Sequence, residues 1–323
     1  RMVGEFPELQ GIAGRYYAKA AGEHEAVAVA IDEAYLPRYA GDAIAASKLG
    51  QVLAVAERLD TLAGGFAAGL KPTGNKDPFA LRRHALGLAR TLLEGGFDLR
   101  LDQLLGKAYL NVYEYCMTSA EQQAAAEAVS DKPDFWKKWL AELEALKGDD
   151  HADRYLEIQQ FILDRLRGYF ADKGYSERHF DAVNAVALES LPDFAKRLAA
   201  IAEFAGMPEA EALAAANKRA ANILRKSAEE AAGSVDPALL QEPAEQELWQ
   251  ALQAAEDALA PMLKSRDYIG VLRALAGLRK PVDAFFEGVM VNADDRKVRG
   301  NRLALLQVLT DQFNAVGDIS LLA

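Results

Sequence analysis

The sequence predicts an all-α fold, and three observations carry that prediction. Alanine-rich segments with apolar residues at i, i+3, i+4 and i+7 recur along most of the 323 residues. Alternating β-branched runs are almost missing; Gly288–Asn292 (GVMVN) is the nearest and is too short for a strand. Glycine, proline and capping residues fall where the periodic segments stop.

The elements follow in order. Val27–Tyr35, Leu49–Leu62 and Leu81–Leu93 each lay their apolar residues on one helical face. In Lys71-Pro-Thr-Gly-Asn-Lys-Asp-Pro-Phe79, Pro72 and Gly74 break the preceding helix. Asp77 then caps a new helix with Pro78 at its first position, where a missing N–H costs nothing. That helix is expected over Phe79–Gly95 and ends at Gly95-Gly96. From about Ala108 to Asp150 the composition shifts. A polar alanine-rich stretch at Ser119–Ala126, a break at Pro133, the aromatic-basic FWKKWL and a GDDH loop together read as a helical insert between two domains. A second periodic pattern begins near Arg154 and runs, with loops at Gly174, Gly206-Met-Pro208 and Ser234–Pro243, to the last residue. No repeat recurs at a fixed period.

Length and composition are those of a folded protein of two or three domains: 51% hydrophobic and 26% charged residues suffice for a sizeable core. A single cysteine, Cys116, leaves no intramolecular disulfide and no Cys/His metal ribbon, which suits a reducing cytosolic compartment. No apolar run approaches the roughly 18 residues of a membrane span, and the opening RMVGEFPELQG lacks the pattern of a secretory signal. Because the text begins with Arg, a fragment of a longer chain is expected. The net charge of −11 argues against a protein coated in Lys and Arg to hold nucleic acid indiscriminately, although one face can still be basic.

Catalytic chemistry has little to stand on. His24, His84, His151 and His179 are isolated, and His24-Glu25 lacks the second histidine of a zincin helix. Neither G-x-x-x-x-G-K-[ST], nor a G-x-G-x-x-G between strand and helix, nor a G-x-S-x-G elbow occurs. The paired acids Asp149-Asp150 and Asp294-Asp295 sit in loop-like text, where carboxylates are usually solvated. No catalytic residue and no metal ligand is expected.

Cationic windows are the informative feature. From Ala212 to Ala228 there is no acid, while Lys218, Arg219, Arg225 and Lys226 are basic. On a helix Lys218, Asn222 and Arg225 share a side, with Arg219 and Lys226 alongside and Ile223 and Leu224 free to face the core. Cations hold phosphates without reading sequence, whereas Asn and Arg also bond exposed base edges of single-stranded RNA. The plainer reading is a solvated basic face. A second acid-free window, Arg296–Thr310, carries Arg296, Lys297, Arg299 and Arg302; a third, Lys264–Lys280, has five basic residues against Asp267. Tyr268, Phe285 and Phe286 lie between them and can stack on bases or pack in a core.

Several segments resemble the β subunit of the bacterial heterotetrameric glycyl-tRNA synthetase. They are Met2–Gly11 (MVGEFPELQG), Tyr35-Leu-Pro-Arg38, Gly69–Gly74 with Lys76–Arg83, Lys218-Arg219 with Asn222–Leu224, Phe285–Asp295 and Asn301–Leu306. The resemblance covers nearly the whole chain and implies the C-terminal portion of such a subunit. It implies an HD-like helical domain over residues 1–115, a helical insert or linker over 116–150, and a helical-bundle anticodon-binding domain, of the kind shared with arginyl-tRNA synthetase, over 151–323. It also implies that the separate α subunit, which binds ATP and Mg, activates glycine in the cytoplasm. This chain would be a non-catalytic part of the α2β2 ligase, without a cofactor of its own, gripping glycine tRNA. Neither a membrane nor DNA is among the expected partners. Working HD phosphohydrolases need a His-Asp dipeptide, and none occurs here; Ala34 and Glu57 stand where the family often has His and Asp, so a metal-free domain is expected. Arg219, Asn222 and Arg225 are the residues expected at the anticodon loop, with Lys218, Lys226, Arg299 and Arg302 holding phosphates. Lys71, Lys76, Arg82 and Arg83 face either tRNA or the α subunit, or are solvated beside a well-capped helix. The alternative is a scaffold that mainly docks the α subunit, with tRNA held elsewhere.

Overall fold

The structure, a computed structural model, describes residues 5–127, 152–186, 189–227 and 233–323. Among them every extended regular element is a helix, as the periodicity requires; the only β pairings are two isolated bridges. FWKKWL, Pro133 and GDDH lie outside the described residues. The chain divides into two compact units, one of Arg1–Tyr169 with Glu189–Pro192, the other of Phe170–Leu188 with Asp193–Ala323.

Unit 1 contains α1 (Ile12–Ala20), α2 (Glu25–Glu33), α3 (Lys48–Ala67), α4 (Leu81–Glu94), α5 (Leu101–Glu127) and most of α6 (Ala152–Asp172). Ser47 caps α3 by accepting from the Gly50 N–H. Ala54, Leu62 and Ala63 of α3 are fully buried, and α3 packs on α2, α4 and α5. On α4, Leu81, Ala85, Leu88 and Leu92 repeat at the spacing of one face and are all buried. Each leucine so removed from water contributes about 1.5–3 kcal/mol.

One expectation changes here. Helix α4 starts at Leu81, not Phe79, because Ala80 adopts a left-handed conformation with φ of 53°. Asp77 nonetheless caps it, its carboxylate accepting from the Leu81 and Arg82 N–H groups at 2.8 and 3.0 Å. Helix α5 runs unbroken from Leu101 to Glu127.

Unit 2 contains α7 (Glu177–Asn184), most of α8 (Leu191–Ala205), α9 (Ala210–Lys226), α10 (Pro243–Ser265), α11 (Tyr268–Ala276), α12 (Arg279–Gly288) and α13 (Arg296–Phe313). Helix α13 is its centre: Val298, Leu303, Leu305, Leu306, Leu309 and Phe313 are buried, and α9, α10 and α11 pack around it. Phe170, Phe180 and Phe194 form a second cluster, with ring centroids 4.9–6.3 Å apart. Helix α10 opens on Pro243 with Glu242 and Glu245 in a reciprocal capping box.

Buried polar groups in this unit are tied to one another, as their desolvation demands. Asp193 accepts from Arg197 Nε at 2.7 Å and from the Tyr268 hydroxyl at 2.5 Å, and lies 3.4 Å from Arg266. Asn301 and Asp236 exchange two hydrogen bonds, which fix the loop before α10 onto α13.

Candidate nucleic-acid interface

Helix α9 carries the longest acid-free basic run, and its burial pattern decides what it can offer a ligand. Ala210, Leu213, Ala214, Asn217 and Ala220 form the buried face, packed against α12 and α13. Asn217 is completely buried and donates through Nδ2 to the Asn314 side-chain oxygen at 2.9 Å, pinning α9 to the end of α13. That burial rotates Lys218, Arg219, Asn222, Arg225 and Lys226 outward, and all are exposed. Glu211 in the first turn and Arg225 and Lys226 in the last match the helix dipole, a local gain independent of any ligand.

Each exposed side chain is then positioned differently. Arg219 lies over the Phe286 ring at 4.6 Å, so its guanidinium is held as a flat, oriented donor. Arg225 Nη2 donates to the Asn222 side-chain oxygen at 2.9 Å, leaving the Asn222 amide donors and the remaining Arg225 donors as one unit. Lys218 Nζ donates to the Ala323 main-chain oxygen at 3.2 Å. Between them is an open concavity of about 530 Å³ lined by Ala215, Lys218, Arg219, Asn222, Ile223 and Lys226. Its rim is cationic and its lining holds no carboxylate, while Ala215 and Ile223 supply apolar contact. Cations at a rim, an amide–guanidinium pair and an apolar floor can hold phosphates and accept an unstacked base.

Several sequence expectations need correction. Arg302 cannot hold a phosphate in this fold: it is 6% exposed, its Nε donates to Glu245 Oε1 at 2.5 Å and its Nη1 to the Met290 carbonyl at 2.8 Å. Arg299 is half-buried and donates to the Ala293 carbonyl at 2.7 Å, which closes the turn before α13. Tyr268 is buried against Asp193 with Arg197 over its ring, and Phe285 is fully buried, so neither can stack on a base. Phe286 is half-buried and acts through Arg219. Ile223 lines the groove instead of the core.

In unit 1, Lys76 is exposed on a tight turn closed by reciprocal backbone bonds with Thr73. Arg82 spans that turn by donating to the Gly74 carbonyl at 2.7 Å, which makes it a brace of the loop. Arg83 is exposed. Glu57 Oε2 lies 3.6 Å from His84 Nδ1, and Glu57 accepts from the Thr61 hydroxyl. Among the described residues no three His, Cys, Asp or Glu side chains group as metal ligands, and no helix is long and apolar enough to cross a membrane.

What sequence reading did not show is Asn217 as the buried peg of α9 and Phe286 as the platform for Arg219. Both depend on partners from distant parts of the chain. The only local signal was the spacing of Asn217 from Leu213 and Ala220.

Comparison with known proteins supplies the context. A family model described as glycyl-tRNA synthetase beta subunit matches residues 1–185, and one described as DALR anticodon binding domain matches 213–319, which includes nearly all of α9. The chain is 55% identical over 324 residues to the glycine–tRNA ligase beta subunit of Xanthomonas campestris pv. campestris strain B100, covering 99% of this chain and 42% of that protein. The corresponding subunit of Xylella fastidiosa strain M12 is 50% identical over 321 residues, 99% of this chain and 44% of the relative. That of Methylobacillus flagellatus is 46% identical over 322 residues, 100% and 41%. The chain thus spans about two fifths of the length of the curated relatives it matches.

Proposed function

Since this chain belongs to the glycyl-tRNA synthetase β-subunit family, we propose that its second unit binds the anticodon arm of glycine tRNA through the exposed face of α9. One observation carries the reading: Lys218, Arg219, Asn222 and Lys226 line a groove without an acidic side chain, with Arg225 bonded to Asn222 beside it, on a helix inside the anticodon-binding match, in a chain whose net charge is −11. Lys218 and Lys226 hold phosphates. Arg219, stacked on Phe286, and the Asn222–Arg225 pair contact the loop. In this proposal the chain performs no chemistry itself; glycine activation with ATP and Mg belongs to the separate α subunit of an α2β2 assembly in the cytoplasm.

The test is binding of glycine tRNA by the chain and by a variant with Arg219, Asn222 and Arg225 all changed to Ala. A fall of tenfold or more supports the reading, and unchanged affinity removes α9 from the interface.

A second reading, docking of the α subunit by unit 1, is favoured by Leu49, Val52 and Leu53, which lie on one side of α3 and are 39–53% exposed. Co-purification with the α subunit after changing Val52 and Leu53 to Ser tests it.

A further inference from the structure

Unit 1 contains a small cavity, about 190 Å³, built from four separate stretches of chain: Gln10; Tyr35, Pro37 and Arg38 after α2; Glu57 and Arg58 on α3; and Arg83 and His84 on α4. Three guanidinium groups and a histidine therefore share one concavity with a single carboxylate. None of this belongs to the α9 face.

The arginines differ in how their charge is met. Arg58 is 4% exposed and donates only to carbonyls, through Nη1 to Ala34 and Ala54 and through Nη2 to Tyr35, Leu36 and Pro37. Carbonyl dipoles satisfy its N–H groups, and the neighbouring Glu57 carboxylate acts on its charge through space without a hydrogen bond to it. Arg38 donates through Nη2 to Gln10 O and Asp32 Oδ1, at 3.2 and 3.3 Å, while its Nε–H is buried and meets no acceptor. His84 Nδ1 is likewise buried without a hydrogen bond, Glu57 being 3.6 Å away. Arg83 is exposed at the rim.

We propose that this cavity binds a phosphate group, with Arg38, Arg83 and His84 as direct donors and Arg58 as a fixed charge in its wall. Arginine forks match phosphate oxygens in pairs, and a low-dielectric wall strengthens the attraction. The charges favour an anion even with Glu57 and the Asp32 carboxylate on Arg38 counted, since three arginines face two carboxylates. Volume limits what enters: organic ligands occupy roughly 300 Å³ or more, so this cavity admits the phosphate and leaves the attached nucleoside outside, beside the 41% exposed Tyr35. The phosphate can be a terminal group on a nucleotide or a phosphodiester of an RNA strand. The proposal does not rest on the α9 reading.

The experiment titrates the chain with inorganic phosphate, adenosine 5′-monophosphate and the diester ApA while following the Arg38 Nε–H and His84 ring signals by NMR. Saturable shifts of both signals with phosphate or the monophosphate assign a terminal phosphate; shifts with ApA assign a strand phosphate. In either case Arg83→Gln, a change at an exposed position, should weaken the ligand about tenfold, the effect of one charge-assisted hydrogen bond. Arg38→Lys should abolish the Nε response and weaken binding as well, with unfolding temperature as the check that each variant is folded. No saturable shift at millimolar ligand, or affinity unchanged in folded Arg83→Gln, overturns the proposal.

Discussion

Arg302 and Glu245 form an ion pair closed to solvent, 7% and 0% exposed at their side chains, between the middle of α13 and the first turn of α10. Glu245 also accepts from the Gln241 and Glu242 N–H groups, both at 2.8 Å, so one carboxylate organises a helix start and neutralises a core guanidinium. Removing Arg302 leaves that carboxylate buried without its cation. Arg302→Ala should therefore cost about 3–5 kcal/mol in urea unfolding. At temperatures where the variant is folded, the salt dependence of tRNA binding should not change. A drop of about one in the log–log salt slope with little loss of stability would return Arg302 to the interface.

The bond between Arg225 and Asn222 makes their contributions to RNA binding inseparable. Asn222→Ala frees Arg225 to wander, and Arg225→Ala leaves Asn222 unoriented. A double-mutant cycle on glycine tRNA affinity should accordingly be non-additive, with a coupling of about 0.5–3 kcal/mol. Lys226→Ala, a phosphate contact, should weaken cognate and anticodon-altered tRNA alike and lower the salt slope by about one. Additive single effects at Asn222 and Arg225 would mean that the pair does not act as one reader.

How far these features could be read in advance depends on how local their causes are. The all-α class and the outward face of α9 follow from spacing within one helix, and both were legible. The direction of Ile223 was not, because Asn217 and Ala220, not the apolar residues after them, are what α9 buries. Basic residues in an acid-free window read alike, yet Arg302 finds Glu245 in another helix while Lys226 finds solvent. Tyr268 and Phe285 are as aromatic in a core as in a stacking site, and tertiary packing alone assigns them. The unit 1 cavity draws Arg38, Arg58 and Arg83 from three places in the sequence, so no window displays it.

Tyr268 gives the stability of unit 2 a dependence on alkaline pH. Burial, and then the hydrogen bond to Asp193, push its hydroxyl up to about 12, although the Arg197 guanidinium over the ring pulls the other way. In an unfolded chain it titrates near about 10. The folded state thus keeps a proton that the unfolded state gives up. The contribution of this hydroxyl is whole below about pH 10 and is lost between about 10 and 12, at up to about 1.4 kcal/mol per pH unit. Denaturation followed across that window should show the decline, and Tyr268→Phe should flatten it. An equal slope in the variant would place the alkaline sensitivity elsewhere.

Gly87 has a steric reason to be glycine although it sits inside α4 with ordinary helical geometry. A Cβ there would come 2.6 Å from Arg58 Nε, and the Arg58 guanidinium cannot retreat while it donates to the carbonyls of residues 34–37. On propensity alone Gly87→Ala should gain up to about 1 kcal/mol in a helix. Crowding a filled core costs about 1–3 kcal/mol, and here the displaced group also abandons buried hydrogen bonds. The net effect should be a lower midpoint of thermal unfolding for Gly87→Ala. In an Arg58→Lys background, where no guanidinium fills the space, the same substitution should lose much of its penalty. If Gly87→Ala alone raises the midpoint, Arg58 is free to move, and its role as a fixed charge in the cavity wall fails with it.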